Sequence, residues 1–149
     1  MKRKFLLTEA EAMAPYVRAL LVDLTAAKSR MVHWDRQVQK LSAQRAEPLS
    51  RALCERGWAA EALDAASAEL QSLGVRLIDP VLGSAGFPFR WSKNRRSRRI
   101  RQAVFLLKLD DDAAKGIHTW RFCGEDEERR VPPHWLGQME SPILAEVGA

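Results

Sequence analysis

Few residues of this chain are suited to covalent or metal chemistry. The 149 residues include two cysteines, Cys54 and Cys123, and three histidines. No Cys-x-x-Cys pair occurs, and the grouping of His118, Cys123 and His134 lacks the ligand spacing of a zinc ribbon or finger. Without a secretory signal, we interpret the two thiols as reduced and the protein as cytoplasmic. We therefore expect neither a metal site nor a cofactor.

Long apolar runs are also missing from the sequence. The basic start of the chain leads into an apolar run that stops at Leu7, which is too short for a signal peptide. No stretch approaches the roughly 20 apolar residues that a membrane-spanning helix needs. We therefore predict a protein without a membrane partner.

Catalytic and phosphate-binding motifs are lacking as well. There is no Gly-x-Ser-x-Gly, and the glycines of Gly83-x-x-Gly86 precede no lysine-bearing helix. The acidic runs at 110–112 and 125–128 lack the alternation and central glycine of a calcium loop, so we interpret them as solvated loops or as partners of nearby arginines. The sequence thus predicts a protein that is not an enzyme. The weakest alternative is a small enzyme that would use His118, Trp120, Arg121 and Arg130.

The strongest positive signal is a heptad pattern in the first third of the chain. Its a and d positions are all apolar: Val17, Leu20, Leu24, Ala27, Met31, Trp34, Val38 and Leu41. A 3.5-residue repeat keeps one stripe facing a partner helix, so we predict a long coiled-coil-like helix. Residues 48–73 repeat the pattern and supply that partner. We place the turn between the helices at Glu47-Pro48, with a position near Gly57 as the alternative.

Three segments with β-prone composition follow the helices. They are residues 75–78, 103–109 and 116–123, the last two joined by a loop at 110–115. The predicted fold class is α+β, with a long antiparallel helical hairpin packed at its base on a small, mostly antiparallel β-sheet. Residues 1–132 would form this single domain, and residues 133–149 a loosely attached C-terminal tail.

One segment accounts for the positive charge of the whole chain. Residues 90–101 hold seven basic residues and no acid: Arg90, Lys93, Arg95, Arg96, Arg98, Arg99 and Arg101. The chain has 24 basic and 19 acidic residues, so the remainder carries 17 basic against 19 acidic, a net charge of −2. The segment could contact phosphates, with Trp91 available for base stacking. The alternative, which the sequence narrowly favours, is a charged connection partly neutralised by the acidic runs.

The stretch after the second helix carries a family resemblance. Gly74-Val-Arg-Leu-Ile-Asp79 is followed at fixed spacing by Gly83 and Phe87-Pro88. Together with Phe5-x-x-x-Glu9-Ala10, Pro15-x-Val17-Arg18 and Arg130-Val131-Pro132, this pattern resembles the uncharacterised prokaryotic family called domain of unknown function 2203, over about residues 5–132. The resemblance implies two long helices and a short strand pair, and it implies no activity.

The chain departs from that family at several polar positions. Gly86 replaces a common Asp, Leu106-Leu107 replace Cys-Trp, and Trp120-Arg121 replace an aromatic-His pair. Gly-Glu is replaced by Asp110-Asp111, and Gly-Phe or Gly-Tyr by Asp126-Glu127. The resemblance therefore implies a divergent member that lacks most of any polar site its relatives have.

These observations favour a non-enzymatic protein-interaction module. The helical hairpin would be presented to a protein partner or used for self-association. The alternative is an RNA- or ribosome-binding protein that uses residues 90–101, with Trp91 and the seven basic side chains as the contact residues.

Overall fold

A computed structural model of the chain describes residues 3–41 and 46–146. Helices α1 (Leu7–Lys40) and α2 (Ala46–Ser72) form a hairpin. Their antiparallel register is fixed by a hydrogen bond from Tyr16 to Glu69 near the base and by an Arg56–Asp35 ion pair of 3.3 Å farther out. The predicted helical hairpin and α+β fold class are confirmed.

Both predicted positions of the hairpin turn lie within helix α2. Helix α2 already begins at Ala46, so Glu47 and Pro48 belong to its first turn, where a proline removes no intrahelical hydrogen bond. Gly57 lies in the middle of α2, so the alternative turn is also wrong. Residues 42–45 lie outside the described residues.

Within the described residues, the sheet has six strands: β1 (Arg76–Asp79), β2 (Ser84–Ser92), β3 (Ile100–Lys108), β4 (Thr119–Phe122), β5 (Arg129–Arg130) and β6 (Ile143–Leu144). Strands β1 to β5 pair in chain order and are antiparallel, whereas β6 runs parallel to β2. The three predicted strand segments correspond to β1, β3 and β4. Strand β2, which at nine residues is as long as β3, corresponds to none of the predicted segments.

One face of the sheet packs against the base of the hairpin. Phe87, Phe89 and Phe105 on this inner face are fully buried, and they share a single hydrophobic core with Leu21 and Leu24 of α1. Side chains alternate between faces along a strand, so Arg90 and Arg121 project from the opposite, outer face. The predicted packing of the hairpin base on the sheet is confirmed.

The heptad a and d residues of α1, which we call the heptad seam, are buried only in the half of the helix that packs near the sheet. Leu24 and Ala27 are buried, but Met31, Trp34 and Val38 are half-buried, because the distal half of α1 has α2 as its main neighbour. A two-helix hairpin cannot enclose a large side chain from all sides. The expectation that Met31 and Trp34 are buried is therefore met only in part.

The segment after Pro132 packs into the core, contrary to the expectation of a loosely attached tail. Its short 3-10 helix (Pro133–Gly137) places Trp135, which is 1% exposed, against the rings of Phe89 and Trp120 at 5.7 and 5.1 Å. Ile143 of β6 is also buried. These long-range contacts attach residues 133–146 to the sheet.

Candidate nucleic-acid interface

The basic segment forms the end of a β-hairpin. Strands β2 and β3 pair in register as far as Ser92 and Ile100, and residues 93–99 connect them. We call these two strands and their connection the arginine hairpin. The two ends of the basic segment therefore lie side by side, with Trp91 opposite Arg101, and the charges concentrate at one end of the sheet.

Short polar side chains shape the connection. The Oδ1 of Asn94 accepts hydrogen bonds from the amides of Arg96 and Ser97 at 3.0 and 2.9 Å. The buried Ser92 hydroxyl donates to the carbonyl of Asn94 at 2.9 Å, and Ser97 Oγ accepts from the amide of Arg99 at 3.3 Å. These bonds satisfy backbone groups locally, as Asn and Ser commonly do in turns. The connection is thus an ordered turn that holds its long side chains outward.

Four exposed arginines occupy this turn. These loop arginines are Arg95, Arg96, Arg98 and Arg99, and Lys93 beside them is exposed too. Within residues 3–41 and 46–146, no carboxylate pairs with any loop arginine. These five cationic side chains together form a solvent-exposed patch of positive charge.

The sequence predicted that the two acidic runs would partly neutralise the basic segment, and one of the two runs does contact it. Residues 110–112 follow the opposite end of β3, and a nine-residue strand separates the two ends by about 30 Å. Glu125 pairs with Arg101 at 3.0 Å, whereas Glu128 pairs with Lys108. Among the described residues, an ion pair therefore neutralises Arg101 but none of the loop arginines. Glu146 approaches the turn, where its carboxylate accepts a hydrogen bond of 3.4 Å from Asn94.

The other basic-segment residues have structural contacts. Arg90 donates from Nε to Ser141 Oγ at 3.0 Å, and the Arg101 guanidinium lies 3.5 Å from the centre of the Phe122 ring. The ring of Trp91 packs on the inner face, with its centroid 4.9 Å from that of Phe122. The structure therefore does not support the expected role of Trp91 as an open stacking surface.

The residues considered for catalysis do not converge. Trp120 is buried on the inner face and donates from Nε1 to the carbonyl of Arg130 at 3.2 Å, while Arg121 lies on the outer face. His118 Nε2 approaches Asp111 at 3.8 Å. The part of the chain that the structure describes has no cluster of three or more His, Cys, Asp or Glu residues able to hold a metal ion.

Neither described helix is long and apolar enough to cross a membrane. Comparisons with protein-family models, with curated proteins and with solved structures find no match to this chain. The resemblance to domain of unknown function 2203 therefore stays a prediction.

Proposed function

We propose that this protein binds the phosphate backbone of a nucleic acid through the arginine hairpin. One observation carries the proposal, namely that the loop arginines are exposed on an ordered turn without a carboxylate partner among the described residues. Guanidinium groups match phosphate oxygens with two parallel hydrogen bonds, so arginine suits this recognition better than lysine. We further propose that it acts in the cytoplasm, where its two free thiols would stay reduced.

The charge distribution favours this function over a merely solvated loop. The positive charge is concentrated on the arginine hairpin, while the chain outside residues 90–101 has a net charge of −2. A polyanion would therefore be drawn to the turn and repelled from much of the remaining surface. Residues 110–112 lie about 30 Å from the turn, so salt screens their charge from the loop arginines. In the second acidic run, Glu125 pairs with Arg101 instead of with a loop arginine.

An NMR titration tests where a nucleic acid binds. We expect a single-stranded RNA of about ten nucleotides to shift the amide resonances of residues 93–101 most, because the phosphate contacts form there. Residues 46–60 of α2 serve as the internal control and should shift little. Absence of shifts at low salt, or shifts centred on α2, would count against the proposal.

A second candidate function is protein interaction through the distal half of the helical hairpin. Trp58 is 62% exposed, and the seam residues Met31 and Trp34 beside α2 are only half-buried. Leu53 is also exposed. It precedes Trp58 by five residues, so the two side chains point about 140° apart around the axis of α2 and do not form one surface. We propose that Trp58 contacts a second copy of this chain.

Sedimentation measures this association directly. We expect the wild type to form dimers at high concentration and Trp58→Ser to weaken the association by about 30-fold, as for a typical aromatic hot spot. Leu82→Ser is the matched control, because Leu82 is also a largely exposed apolar residue (73%) but lies between β1 and β2. A wild type that stays monomeric at every concentration would refute self-association.

A further inference from the structure

A cleft lies next to the arginine hairpin. Its volume is about 610 Å³, within the range of pockets that hold a nucleotide-sized ligand. One wall is formed by the turn, including Asn94 and Arg95, with Ile100 at the start of β3. The other wall is the C-terminal segment from Gly137 to Pro142.

The two walls present apolar side chains next to a cation. Met139 is 71% exposed and Ile100 is 45% exposed, and each lines the cleft. Arg95 lines the same cleft from the turn, and Glu140 is its one acidic side chain among the described residues. An anionic group would therefore lie at the Arg95 side, with an uncharged ring between the apolar side chains.

The C-terminal wall is held in place by hydrogen bonds to the rest of the fold. Gln138 donates to the carbonyl of Leu144 at 2.8 Å and accepts from its amide at 2.7 Å. Ser141 accepts from Arg90, and β6 pairs with β2 immediately beyond it. The cleft is thus formed before a ligand arrives, which lowers the entropy lost on binding.

We propose that this cleft takes one unpaired base of a single-stranded nucleic acid whose phosphate lies on Arg95. The proposal rests on the function proposed above and specifies the form of nucleic acid. Bases in a duplex are stacked and paired, so they cannot enter a side cleft, whereas an unstacked base can lie between apolar side chains. Adjacent phosphates would then follow the turn across the other loop arginines.

Fluorescence anisotropy with single-stranded and duplex oligonucleotides of equal length, in RNA and DNA forms, tests the proposal. We expect the wild type to bind single strands about tenfold more tightly than duplexes at the same salt concentration. The double variant Ile100→Thr, Met139→Ser should lose about this preference, because it removes the apolar contacts to the base and keeps all four loop arginines. Val81→Thr, Leu82→Ser is the control, since it removes two exposed apolar side chains at the far end of β2.

The outcomes separate the two proposals. Equal or tighter binding of duplexes, or an unchanged preference in the double variant, would overturn the base cleft while leaving backbone binding by the arginine hairpin in place. The same loss of preference in the control variant would also overturn it. No binding of any oligonucleotide at low salt would refute the proposed function itself.

Discussion

Replacing Trp135 with alanine is expected to lower the free energy of unfolding by about 3–5 kcal/mol. The indole is 1% exposed and lies against three interior aromatic rings, those of Phe89, Phe105 and Trp120. Its removal loses the burial of a large apolar surface and leaves a cavity that rigid neighbouring rings cannot fill. The loss is a large fraction of the 5–15 kcal/mol that stabilises a typical domain.

Urea denaturation followed by circular dichroism measures this effect. Leu136→Ala is the matched control, because Leu136 is the next residue and is half-exposed, so its truncation should change the stability by less than about 0.5 kcal/mol. Equal and small losses in both variants would show that residues 133–146 are the loose tail that the sequence suggested.

Changing all four loop arginines to glutamine is expected to reduce the affinity for single-stranded RNA by at least about 100-fold near 50 mM salt. Each arginine that neutralises a phosphate releases condensed counterions, and this release supplies most of the binding free energy at low salt. Glutamine keeps a polar side chain that can hydrogen-bond, but it has no charge and therefore releases no counterions on binding. Anisotropy of a labelled oligonucleotide measures the change.

A second quadruple variant controls for net charge. Arg30, Arg36, Lys40 and Arg51 are exposed on the helical hairpin and have no ion-pair partner among the described residues. Changing these four to glutamine removes the same charge from a different surface. We expect less than about a tenfold loss, because a distant charge acts only through the screened field. Equal losses in the two variants would mean that binding depends on total charge and has no defined site.

The helical hairpin could be predicted because its signal is local and repeated. Seven steps of three and four residues specify the seam, and Gly74 after α2 has a φ of +81°, as a helix-ending glycine should. Incomplete burial of Trp34 could not be predicted in the same way. The heptad pattern shows which side of a helix faces its partner, but it does not show how far the supporting sheet extends.

Strand β2 was missed although its period-two pattern is visible. Ala85, Phe87, Phe89 and Trp91 alternate with less apolar residues and form the inner face. A proline such as Pro88 is unfavourable in a central strand, because proline cannot donate to a ladder. In the structure β1 pairs with β2 as far as Gly86 and β6 pairs from Trp91 onward, so Pro88 lies between these two neighbours. There its carbonyl accepts from the amide of Phe5 at 2.8 Å, and its missing N–H costs no ladder bond.

The candidate site was predictable in composition and not in geometry. The run of arginines is evident in the sequence. Which acidic residues lie close to it depends on how the strands pair, and the sequence does not show this. Residues 110–112 are close to Arg101 along the chain, yet strand β3 carries them to the far end of the sheet. One wall of the cleft is the C-terminal segment, which is attached to the sheet through Trp135 and Ile143. These contacts join residues far apart in the sequence, so no local sequence pattern predicts them.

The most direct test of the central claim is the dependence of RNA affinity on salt concentration in the wild type and in the loop-arginine variant. Each phosphate neutralised on a single strand adds about 0.7 to the slope of log affinity against log salt. We predict that the four substitutions reduce this slope by roughly 3, while the control variant keeps the slope of the wild type. Parallel lines for the wild type and the loop-arginine variant would contradict this prediction.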